Sequence, residues 1–402
     1  MAEPAPAAKA EMGEQTRRHT TAAYYLAFIV LGLILAVLGP TLPYLARQTG
    51  SELSQVSFLF TARALGGFSG ALLSGRLYDR RAGHPMLVAT LLIFIVSLAL
   101  APLIPLLWLL SVLLFAMGLA EGALDVGVNT LLVWVHGRDV GPFMNGLHFF
   151  FGVGAFLSPI IIAQVLAFNG EVRWGFWILA LLVLPALFWI WRLPSPRPPQ
   201  VKKEAQDAPR TDAGLVLLMA LMLALYVGAE VGFGGWIFSY AVELELAAET
   251  TAAYLTSLFW GAFTAGRLLA IPLAARLRPR TILFGDLFGA AAGVALIAIW
   301  RHSPAAVWLG TAIAGLCMAS VFPTALTLAE RRMAITGKVT SAFFVGASLG
   351  AMSLPWLIGQ LFTAIGPATT MLAIVADLLV ALLILALLLR RAPGGGAERA
   401  PG

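Results

Sequence analysis

The sequence predicts an all-α membrane protein, with twelve transmembrane helices in two six-helix halves and both termini cytoplasmic. Three observations carry that prediction. Hydrophobic residues make up 60% of the 402 and charged residues only 11%, too apolar for a water-exposed chain of this length. Twelve apolar stretches approach or exceed the ~20 residues that an α-helix needs to cross hydrocarbon. They run over about 22–44, 54–75, 86–104, 106–134, 142–167, 174–192, 213–242, 250–275, 280–299, 304–329, 338–364 and 369–390. With the N-terminus inside, the inner segments hold 21 of the 26 Lys and Arg, and the outer loops hold only Arg47, Arg173 and Arg301. That bias orients an even number of spans.

In chain order, residues 1–21 read as a polar, mobile tail with Lys9, Arg17 and Arg18 beside the first span. That span is longer than a signal-peptide core and reads as the first helix of the N-terminal bundle, 22–192. Residues 193–212, rich in proline and charge without apolar period, form a cytoplasmic linker to the C-terminal bundle, 213–390. A disordered tail is expected over 391–402. The halves read as a parallel repeat: Gly154–Pro159 recurs as Gly350–Pro355, and Gly118-Leu119 as Gly315-Leu316, at offsets of 196 and 197. Two such halves predict a central cavity lined by helices 1, 4, 7 and 10. The single cysteine, Cys317, permits neither an intrachain disulfide nor a cysteine metal cluster. The formal charge of +6 reports topology and gives no reason to expect nucleic acid.

Chemistry concentrates in a few intramembrane polar residues. Glu121, Asp125 and Asn129 are spaced by four, so a helix stacks them on one face, with Gly118 and Gly122 on the same stripe. A carboxylate at bilayer depth costs at least ~2.5 kcal/mol, so this face must look into a bundle interior or a wet cavity. Low dielectric lets a carboxyl group retain a proton, and Asp125, Asn129 and Thr130 alternatively offer oxygens to a hard cation such as sodium. A plain polar tie between helices is the competing reading for each. Arg63 lies at a depth comparable to Glu121, which suggests a structural ion pair.

Glu230 sits among Gly228, Gly232, Gly234 and Gly235, the glycine interruption that marks binding sites in transporter helices. Trp236 and Trp260 offer flat apolar faces on which a ligand ring could stack, although an interfacial anchor is an equal reading for Trp236. His148 can exchange hydrogen bonds with a hydroxyl, or be a packed, satisfied histidine; Asn145 and Gln164 lie on the same helix. Arg267, toward the inner end of helix 8, reads as a gate or anchor and not as a ligand. Asp286, Glu330 and Asp377 carry no assigned role.

Several motifs resemble a known family. Gly75-Arg-Leu77-Tyr-Asp79-Arg80-Arg-Ala-Gly83 is similar to the loop signature G-x-L-x-D-R-x-G of the major facilitator superfamily, with one extra residue before the last glycine. Asp125-Val-Gly-Val-Asn129-Thr-Leu-Leu, His148-Phe-Phe-Phe-Gly152-Val-Gly154-Ala, Tyr226-Val-Gly-Ala-Glu230-Val-Gly-Phe-Gly-Gly-Trp236, Gly266-Arg267 and Phe322-Pro323-Thr324 resemble the fucose/glucose/galactose symporter group, especially its sodium-dependent glucose transporter-like branch. The resemblance implies that Asp125 and Asn129 serve coupling and hydroxyl recognition. It also implies that Asp79 with Arg80 forms a conformational lock between helices 2 and 11. Where some fucose symporters carry an acid in helix 1, this chain has Gly39-Pro40-Thr41, so a second N-half carboxylate would have to be Glu121.

No zinc-spaced His/Cys set, phosphate-cradling glycine loop or large extramembrane domain suggests an enzyme. The expected activity is symport of a hexose or similar small polar solute, driven by a proton or by sodium, with no other cofactor and no bound metal. Coupling falls to Asp125, Glu121, Asn129 and Glu230. Substrate binding falls to Asn129, Asn145, His148, Gln164, Glu230, Trp236 and Trp260, and gating to Asp79, Arg80, Arg63 and Arg267. The alternatives are a proton-driven exporter of a drug-like or lipid compound, and a non-transporting sensor. A monomer in a bacterial cytoplasmic membrane is expected, with the lipid bilayer and the substrate as its partners.

Overall fold

A computed structural model describes residues 13–78, 83–196 and 212–391. Twelve helices in it are long and apolar enough to span a membrane: α1 Glu14–Thr49, α2 Leu53–Gly75, α3 Gly83–Leu103, α4 Leu107–His136, α5 Val140–Asn169, α6 Arg173–Arg192, α7 Ala213–Glu243, α8 Glu249–Arg276, α9 Pro279–Ile299, α10 Pro304–Glu330, α11 Gly337–Ala364 and α12 Thr369–Arg390. A helix satisfies its own backbone in hydrocarbon, which is why each apolar run takes this form. The first helix begins at Glu14, inside the expected tail, and Thr20 and Thr21 are buried. The Thr21 hydroxyl meets Nε2 of His136 at 2.8 Å, so α1 continues past the apolar run because the C-terminal end of α4 covers it. Hydropathy sees only the lipid-crossing length.

The repeat reappears as equivalent contacts. A Cβ on Gly154 of α5 would lie 1.9 Å from the Ile29 carbonyl oxygen of α1, and one on Gly350 of α11 would lie 1.8 Å from that of Ala224 in α7. A Cβ on Gly118 of α4 would likewise lie 2.0 Å from the Arg63 carbonyl oxygen of α2, and one on Gly315 of α10 would lie 2.5 Å from that of Phe259 in α8. Backbones approach this closely only where the side chain is a hydrogen, and such contacts drive helix association in lipid.

Ties between the two halves cluster at the end bearing the α1–α2, α7–α8 and α11–α12 loops. Arg47 pairs with Glu249 at 3.3 Å, the Thr61 hydroxyl donates to the Met352 carbonyl at 2.8 Å, and the Gln360 amide donates to the Ser54 carbonyl at 2.8 Å. Gly39 and Gly234 bring α1 against α7 just below them. These contacts shut the molecule at that end.

Candidate functional site

The site builds from α4. One turn separates Glu121 from Asp125 and another separates Asp125 from Asn129, and the three residues have different partners. The Arg63 guanidinium donates through Nε to Glu121 at 2.8 and 3.1 Å, and through its two terminal nitrogens to the Leu35 and Ile34 carbonyls at 3.0 Å each. The pair therefore pins α1, α2 and α4 together. Asn129 donates its amide to the Asp125 carboxylate at 3.0 Å and to the Asp125 carbonyl at 2.8 Å. Its side-chain oxygen is then the atom left for a ligand. Glu230 on α7 has the Tyr226 hydroxyl beside it, and that hydroxyl donates to the Met318 carbonyl at 2.7 Å.

Arg267 is the cation among these groups. It lies within electrostatic reach of Asp125, Glu230 and His148, which come from α4, α7 and α5. Its guanidinium carbon sits 4.7 Å from the Phe263 ring centre and 6.0 Å from that of Phe151. The residue read from sequence as a gate or anchor thus stands beside the acids: α8 packs along α5, where Gly152 faces Thr264, and this contact brings Arg267 to their level.

Above this charged level, toward the closed end, lies a cavity of about 140 Å³. Arg63, Glu121, Phe60 and Trp260 line it, with Gly39, Gly234 and Ala351 among the small residues that leave it open. Its walls come from α1, α2, α4, α7, α8 and α11, so α10 does not line it as expected. A bundle closed at one end brings α2 and α11 together over the centre, and their side chains take that place. Trp260 is 3% exposed, and its indole N–H has no hydrogen-bond partner.

Three expected substrate residues stand elsewhere. Trp236 is fully buried, its indole donates to the Pro355 carbonyl at 2.9 Å, and Phe60 and Phe362 pack near its ring. It braces α7 against α11 and offers no free face to a sugar. Gln164 donates to the Tyr254 hydroxyl at 2.7 Å as a tie between α5 and α8. Sixteen residues separate it from His148, about 24 Å along the helix, so one small solute cannot touch both. Asn145 is exposed, one turn beyond His148. Asp79 and Arg80 lie outside the described residues. Asp286, given no role from sequence, accepts from the Ser320 hydroxyl at the break in α10 between Met318 and Val321. Tyr226 escaped assignment too, although its place one turn before Glu230 was visible.

The Major Facilitator Superfamily profile matches residues 24–355. The chain belongs to that superfamily. It is a multi-pass membrane transporter and not an enzyme. It is 33% identical over 374 residues to sodium-dependent glucose transporter 1 of Danio rerio, covering 83% of this chain and 63% of that protein, just under two thirds of the relative's length. It is 29% identical to sodium-dependent glucose transporter 1A of Mus musculus, covering 84% of this chain and 88% of that one. Among solved structures, a point mutant of the nucleoside transporter NupG superposes with a TM-score of 0.75 at 14% identity, over 93% of this chain and 99% of that chain. The likeness to NupG is one of fold.

Proposed function

We propose that this transporter carries a hexose or related polyol by cation-coupled symport through alternating access. The observation that carries the reading is one charged level to which both halves contribute, with Asp125 and Asn129 from α4 and Glu230 from α7 gathered around Arg267. The names of the relatives, sodium-dependent glucose transporters, support the solute class and favour sodium over a proton. With the termini cytoplasmic, the shut end is the outward one. The sugar sits in the cavity above the acids, where the Trp260 indole supplies an apolar face and an unspent N–H donor. Arg63 and Glu121 form a polar wall whose hydrogen bonds suit hydroxyl groups.

Asp125 is the coupling residue. Closing the bundle over an empty, ionised carboxylate costs several kcal/mol, because an unpaired charge loses its water. A bound sodium ion or proton removes that penalty, so loading permits reorientation. Uptake of labelled hexoses into proteoliposomes, under imposed sodium and then proton gradients, tests the reading. Asp125→Asn, a permanently neutral form, should retain substrate counterflow and lose accumulation against a gradient. An Asp125→Asn carrier that concentrates sugar like the wild type would sink the assignment. With sodium coupling, sodium also raises sugar affinity at fixed pH and sugar raises sodium affinity by the same factor.

A further inference from the structure

Arg267 is the charged group that this reading leaves without a task. It belongs to the C-terminal half, yet its guanidinium rests near Phe151 of the N-terminal half as well as Phe263 of its own helix. Its Nε is buried without a hydrogen-bond acceptor. None of the ion pairs among the described residues includes it, and the intramembrane pair, Arg63–Glu121, has its own cation. A guanidinium carries five donors in a planar fork that matches a carboxylate. Here that fork is parked against aromatic rings with donor capacity unspent, across the seam that alternating access must open. Asp125, an N-half acid within its electrostatic reach, is meanwhile held among the described residues only by the Asn129 amide.

We propose that Arg267 is a resident substitute cation, which takes the place of the coupling ion on Asp125 while the unloaded carrier returns. The proposal rests on the symport reading and supplies the step that reading lacks, namely how a carrier with an ionised Asp125 closes when it holds nothing. With an ion bound, Arg267 stays on the Phe151 and Phe263 rings. When the ion leaves, the side chain crosses the seam, pairs with the carboxylate and neutralises it for occlusion. Glu230, Tyr226 and His148 are the other titratable groups facing it among the described residues. Glu230 keeps the Tyr226 hydroxyl as its neighbour, and histidine brings no negative charge at neutral pH.

Arg267→Gln separates this role from a structural one. It removes the competitor for Asp125, so the apparent affinity for the driving cation should tighten about tenfold, equivalent to ~1.4 kcal/mol. Net uptake should collapse, because the empty return is blocked. Counterflow exchange, which never passes through the empty carrier, should persist. Arg267→Lys keeps the charge without the planar fork and should restore net uptake in part. Sodium affinity is read directly, by tryptophan fluorescence on purified protein, and Arg267→Met, equally uncharged, replaces a low-yield glutamine variant. An Arg267→Gln carrier with wild-type ion affinity and wild-type net uptake overturns the proposal, as does one that loses exchange together with uptake. A wild-type carrier indifferent to both gradients sinks the symport reading beneath it. A coupled wild type with an unaltered Arg267→Gln variant sinks only the substitute cation.

Discussion

Replacing Glu121 by Gln separates a structural acid from a coupling one. The Arg63 and Glu121 side chains are only 8% and 14% exposed, and they meet at 2.8 Å. Removing one charge of a buried pair costs about 3–5 kcal/mol, because the other is stranded. In Glu121→Gln the stranded group is Arg63, which keeps the Leu35 and Ile34 carbonyls at 3.0 Å and can still donate to the glutamine oxygen. The loss should therefore fall near the low end, about 3 kcal/mol. Arg63→Met strands Glu121 among apolar neighbours with no replacement donor, and should approach about 5 kcal/mol. The double variant strands nothing and should lose far less than the sum of the two. Reversible unfolding of purified protein in mixed micelles, followed by fluorescence, measures all three. Losses that add to within about 0.5 kcal/mol would show the pair to be energetically idle and refute the reasoning. Transport supplies the second readout: Glu121→Gln should keep cation-dependent accumulation that Asp125→Asn loses.

Other outcomes follow from named contacts. Gly154→Val should abolish recovery of monodisperse protein in size-exclusion chromatography, since its Cβ would stand 1.9 Å from the Ile29 carbonyl oxygen. Trp236→Phe deletes the bond to the Pro355 carbonyl and should lower stability by about 1 kcal/mol while leaving the sugar KM in place. Trp260→Phe should do the reverse, raising the sugar KM severalfold with a near-wild-type melting curve, because the lost N–H bonds nothing in the empty protein. Matched melting and uptake measurements on the two variants decide between the tryptophans.

Much of this was legible in the residues. The twelve spans follow from apolar length, because hydrocarbon forces a long apolar run into a helix whatever its neighbours. The halves followed from the proline-rich break and from repeated glycines, which return in the structure as equivalent backbone contacts. That Asp125 and Asn129 share a face follows from the 3.6-residue turn, and the structure adds the bond between them. Depth counting also placed Arg63 beside Glu121, since both positions are measured from the same membrane boundary.

What the sequence left open concerns faces. A span apolar on all sides carries no signal that distinguishes lipid from a neighbouring helix, so Trp236 and Trp260 looked alike from their residues. Helix crossings decided that Trp236 is clamped by α11 and that Trp260 lines the cavity. Arg267 read only as a gate or anchor, because counting gives depth along a span and says nothing of the direction in which a side chain points. The packing of α8 against α5, fixed where Gly152 admits Thr264, turns Arg267 toward acids on two other helices. Residue spacing determines contacts within a helix, whereas the charged level and the cavity arise between helices, where close approach of backbones sets the geometry.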